Sequence, residues 1–60
     1  MFQEFRDVEK ICEELEKIRI NAQSSEIVFH QKGESATAER FAKLENKLAK
    51  ALVILREAEG

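Results

Sequence analysis

Along the first half of the chain, Val8, Ile11, Leu15, Ile18, Ala22, Ser25 and Phe29 follow one another at gaps of three and four in strict alternation. The second half repeats the rhythm with Thr37, Phe41, Leu44, Leu48, Ala51, Leu55 and Ala58. Alternating threes and fours keep one stripe of a helix turned toward a partner helix, as knobs-into-holes packing requires. Between the two seams lies the one stretch that punctuates the chain, Gln31-Lys32-Gly33-Glu34-Ser35. Gly33 can take the left-handed conformation that ends a helix. Ser35 is a suitable N-cap for the next helix, and Glu39 near its first turn complements the dipole. The pattern predicts a first helix over about 3–31, a turn over about 32–35 and a second helix over about 36–58.

Folding the chain back at Gly33 tests whether the seams fit each other. Antiparallel partners should have residue numbers with a constant sum near twice 33. The pairs Phe29/Thr37, Ser25/Phe41, Ala22/Leu44, Ile18/Leu48, Leu15/Ala51, Ile11/Leu55 and Val8/Ala58 all sum to 66. Four of the first five layers set a large side chain against a small one, which keeps the interhelical spacing even. The expected fold class is all-α, a single antiparallel αα-hairpin.

The hairpin does not use up the apolar residues. Phe5, Cys12 and Leu52 fall along one edge of the seam, while Ile20, Ile27, Val53 and Ile54 point elsewhere. The run Ala51-Leu52-Val53-Ile54-Leu55 covers more than one side of its helix. Two helices cannot bury all sides of each other, so a second hairpin or a further helical protein should cover the remainder. The expectation is a dimer or tetramer of this chain packed as a helix bundle, or a piece of a larger helical protein. Phe5, Cys12, Leu52, Val53 and Ile54 are the candidate contacts between chains.

Composition supports this. Leu, Ile, Val and Phe make up 17 of 60 residues, above the level of a disordered chain. Proline, Trp and Tyr are absent. A core in so short a chain supplies only about 3–5 kcal/mol unless disulfides, metal or partners help. A single Cys excludes an internal disulfide, and no Cys/His cluster has zinc-ligand spacing. No apolar run reaches the length of a membrane span, and the start of the chain lacks the apolar core of a signal peptide. Together with the lone Cys, these features lead us to expect a cytoplasmic protein without a membrane partner.

The net charge of −2 hides an acidic first half and a mildly basic second half, which suits two helices lying side by side. Arg40, Lys43, Lys47 and Lys50 line one side of the second helix. They are either a solvated flank pairing with acids or a stripe for nucleic-acid phosphates. The same edge geometry puts Arg19 near Glu45. Glu9, Glu13 and Glu16 form an acidic face with nothing converging on it. Glu26 and His30 sit one helical turn apart, too few for a metal site, and His30 suits the C-terminal end of a helix dipole. Cys12 reads as a small buried hydrophobe. No phosphate loop and no nucleophile–base pair is present, so no catalytic residue, metal ligand or cofactor is expected.

Val8-Glu9-Lys10-Ile11 through Glu16-Lys17-Ile18-Arg19, then Ala22, Ser25 and Ile27-Val28-Phe29-His30-Gln31, resembles the N-terminal region of the translin and translin-associated factor X family. There a long first helix ends in an apolar run followed by His and usually a basic residue, where this chain has Gln31. Glu45-Asn46-Lys47-Leu48 is similar to the start of the family's following helical segment. The resemblance implies an all-α fold, ring-like or shell-like oligomers and single-stranded RNA or DNA as ligand. It carries over no catalytic residue, because the family's acidic nuclease site lies on later helices of considerably longer chains.

Two functions follow as expectations. The first is a non-enzymatic oligomerisation or protein-interaction module. The second is a single-stranded RNA- or DNA-binding protein of the translin kind, or a fragment of one.

Overall fold

The computed structural model describes residues 2–59, with Glu59 described by its backbone alone. Two helices run antiparallel: α1 spans Gln3–Gln31 and α2 spans Ser35–Glu59. They pack along their length into a rod of 49 × 14 × 11 Å. The all-α hairpin expected from the pattern is therefore the fold, with α1 at the expected limits and α2 one residue longer at each end.

The turn shows why the chain reverses here. Gly33 has a φ of 78°, the left-handed conformation. Its N–H donates to the His30 carbonyl at 3.1 Å, and the Glu34 N–H donates to the Phe29 carbonyl at 2.9 Å. These two bonds form a Schellman cap, which satisfies carbonyls that the end of α1 would otherwise leave open. The Ala38 N–H already donates to the Glu34 carbonyl at 3.0 Å. Glu34 thus occupies the capping position, and Ser35, expected there, is the first residue of α2.

The seam differs from the expected one in roll and in register. Its central stripe is as expected: Val8, Leu15, Ala22 and Phe29 on α1 and Phe41, Leu48 and Leu55 on α2 are all buried or half-buried. Each stripe has two shoulders. Expectation placed Ile11, Ile18 and Leu44 inside, and the structure leaves them 50%, 45% and 40% exposed. The other shoulder turns inward instead. Cys12 and Leu52, expected to face another chain, are only 6% and 3% exposed and lie between the helices; Ala38, near the turn, is fully buried. Cys12, Ala22 and Ala38 are the small residues among the most buried side chains and let the helices approach there.

The register is one helical turn off. Phe29 stacks on Phe41, with ring centroids 5.6 Å apart and planes inclined by 9°, rather than meeting Thr37. Lys32 Nζ lies 5.5 Å from the centre of the Phe29 ring. The cross-helix pair Glu16–Arg56 agrees with this later register. Paired numbers sum to about 70–72, so each residue of α1 meets a residue about four positions later on α2 than a sum of 66 implies.

Candidate interaction surface

The inward shoulder is rimmed by charge. On α1, Glu16 accepts from Arg19 Nε at 2.9 Å and also from the second Arg19 nitrogen. Its other carboxylate oxygen accepts from Arg56 Nη2 of α2 at 3.2 Å, which ties the two helices together. The hydrogen bond from Arg19, and the positive charge of both arginines, hold the Glu16 carboxyl below its ordinary value. Farther toward the turn, Glu45 of α2 shares a hydrogen bond with Glu26 of α1. That bond, partial burial and the negative charge of Glu26 push Glu45 up, while Arg19 pulls it down. Arg19 therefore lies near Glu45 as expected, although its hydrogen bonds go to Glu16. His30 Nε2 stands 4.0 Å from Glu26.

The opposite shoulder is flanked by Asp7 and Glu14 of α1 and by Arg40 and Lys47 of α2. A right-handed helix running away from the viewer and one running toward the viewer turn their corresponding shoulders to the same side. Ile11, Ile18 and Ser25 of α1 and Leu44, Ala51 and Ala58 of α2 therefore share one long side of the rod. Near the turn this side opens into a shallow groove of about 270 Å³ lined by Thr37, Arg40, Phe41 and Leu44. On the other long side, a hollow beside Cys12 and Ile20 is edged by Glu9, Glu13, Glu16, Lys17 and Arg56.

The remaining candidates separate clearly. Of the five residues expected between chains, Cys12 and Leu52 belong to the hairpin core, so they cannot carry that contact; Phe5, Val53 and Ile54 are exposed. Phe5 sits at the open end, its ring centroid 6.1 Å from that of Phe2. Val53 and Ile54 lie on the outer surface of α2. Arg40, Lys43, Lys47 and Lys50 are all exposed. None of the four makes an ion pair among the described residues, so the pairing expected for that flank is not formed within one chain. Among the described residues no group of three His, Cys, Asp or Glu side chains could hold a metal ion. No described helix is long and apolar enough to cross a membrane.

Periodicity alone did not point to Ile11, Ile18 and Leu44 as surface residues. Comparison with protein-family models, with curated proteins and with solved structures gives no match.

Proposed function

We propose that this chain is a non-enzymatic helical-hairpin module whose role is association, with itself, into a helix bundle. The observation that carries this reading is the exposed apolar surface. Ten of the 17 Leu, Ile, Val and Phe side chains remain exposed in the single hairpin. Scattered singly, exposed apolar residues need no explanation, but Ile11, Ile18 and Leu44 of these ten share one long side of the rod, and grouped apolar residues mark an interaction surface. Full burial of each such side chain contributes about 1.5–3 kcal/mol. Against a hairpin core worth about 3–5 kcal/mol, covering even three of them decides whether the fold persists. A reducing, cytoplasmic setting suits the single thiol. The test is thermal unfolding by circular dichroism at chain concentrations spanning a hundredfold. Self-association makes the midpoint rise with concentration. A midpoint independent of concentration, with helix content unchanged, refutes the reading.

A second reading rests on the exposed, unpaired Arg40, Lys43, Lys47 and Lys50 of α2. These four would bind single-stranded RNA or DNA through phosphates, in the manner of the translin family that the sequence resembles. Binding would then fall steeply with salt. An absence of any gel shift with single-stranded RNA at low salt refutes it.

A further inference from the structure

We propose that the turn end of the hairpin is an acid-tightened clasp, in which Glu26 of α1 and Glu45 of α2 hold one proton between them across the helix interface. The clasp belongs to the single hairpin and needs no second chain. Register brings the two residues together. Cys12, Arg19 and Glu26 follow one another at gaps of seven on α1, as Ala38, Glu45 and Leu52 do on α2. These are the inward-turned stripes, on which Cys12, Ala38 and Leu52 are all buried. The numbers of Glu26 and Glu45 sum to 71, so the observed register sets them opposite each other. Both are half-buried, the Glu26 side chain being 27% exposed. Each helix therefore breaks its own apolar stripe at the same level and with the same charge. Departures of this kind from a chain's own pattern mark functional or strained places.

Two carboxylates held side by side repel, and one proton between them turns the repulsion into a hydrogen bond. The titration then belongs to the pair rather than to either residue. The surroundings do little to quench the repulsion. One helical turn from Glu45 on α2 stand Phe41, Ala42, Leu48 and Ala49, none of them charged. One turn from Glu26 on α1 stand Ala22, Gln23, Phe29 and His30. The pair is faced by one fixed charge, Arg19, and one conditional charge, His30. Arg19 gives its hydrogen bonds to Glu16. It draws Glu45 down less than Glu26 and burial push it up. His30 Nε2 stands 4.0 Å from Glu26 and bears charge only when protonated.

Acid acts in one direction at this end of the rod. A proton shared by the carboxyls removes the repulsion between the helices, and a charge on His30 offsets that of Glu26. Because the folded pair holds its proton more tightly, its stabilisation is present in full below the ordinary glutamate value. It is lost as pH rises through the raised folded value. Glu16, toward the open end, has the opposite sign, because Arg19 and Arg56 hold its carboxyl low. Its tie to Arg56 persists over the range in which the clasp closes. Mild acid therefore tightens the turn end while the cross-helix ion pair of the open half stays in place.

Thermal unfolding of the parent, Glu26→Gln, Glu45→Gln and the double variant tests the clasp, at one chain concentration and in steps from pH 8 to pH 5. The expected result is a midpoint that rises on acidification in the parent and stays nearly level in the double variant. In this double-mutant cycle the coupling between positions 26 and 45 should be unfavourable at pH 8 and vanish or change sign at pH 5. A parent midpoint that stays level or falls, a rise that the double variant keeps, or a coupling that ignores pH overturns the clasp. Titration of the Glu45 side-chain carboxyl carbon by NMR provides an independent arm. It should titrate at higher pH in the parent than in Glu26→Gln. Equal titration midpoints in the two chains overturn the shared proton.

Discussion

Replacing Leu52 by alanine tests the roll of the helices more sharply than any other single change. Leu52 is 3% exposed and its neighbour Val53 is 56% exposed, so adjacent positions occupy opposite environments on one helix. Truncating a buried leucine loses its transfer free energy and leaves a cavity, together about 2–5 kcal/mol. In a domain of this size about 1 kcal/mol moves the melting midpoint by about 4–8 °C. Leu52→Ala should therefore lower the midpoint by about 10 °C or more, and can unfold the chain outright. Val53→Ala removes little buried area and replaces a branched residue by the best helix former, so its effect should stay within about 0.5 kcal/mol. The assay is thermal and urea unfolding by circular dichroism at one fixed chain concentration, since association itself shifts the midpoint. Equal losses for the two variants, or a larger loss for Val53→Ala, would refute the inward placement of Leu52 and return Ile11 and Ile18 to the seam.

Other perturbations follow from the turn, the rings and the carboxyl pairs. Gly33→Ala should cost about 1 kcal/mol, because the φ of 78° is unfavourable for a Cβ while no atom within 4 Å obstructs one. Gly33→Asn should cost less, and denaturant midpoints of the two variants check the order. Phe29→Leu keeps apolar bulk but loses the ring pair with Phe41, so a loss of about 0.5–1.5 kcal/mol is expected by chemical unfolding. Glu45 binds its proton more tightly folded than unfolded, so its contribution is fully present below the unfolded pKa and is lost as pH rises through the folded one. Glu45→Gln should accordingly melt above the parent at pH 7, with the difference closing in acid. Glu16 has the opposite sign: its stabilisation is present above the unfolded pKa and fades as pH falls through the lowered folded value. Glu16→Gln should melt below the parent at pH 7 and converge with it in acid, and a constant gap across pH would contradict the Arg19 and Arg56 pairing.

Much of the hairpin was legible because its signals are local. Gly33 stands alone as a breaker between two long periodic stretches, and the central stripe from Val8 to Phe29 needs only its own spacing to be seen. Two features were not legible from periodicity. A slip of one helical turn leaves each helix's facing stripe unchanged, so the spacing of Phe41 cannot distinguish contact with Ser25 from stacking on Phe29. Roll is equally hidden, because both shoulders carry apolar residues: Ile11, Ile18 and Leu44 on one, Cys12 and Leu52 on the other. The charged residues on the inward shoulder also mislead a binary reading. Arg19 and Glu16 lie half-buried there with their heads paired at the rim, which lets long polar side chains cover apolar surface. The apolar surplus, by contrast, was already visible in the sequence, and only its location moved.

The most direct test of an association module is the mass of the parent chain in solution, measured by sedimentation equilibrium at micromolar concentration with helix content followed on the same sample. The account predicts a helical particle of at least twice the 6.9 kDa chain mass. A helical, cooperatively folded particle of one chain's mass would contradict it.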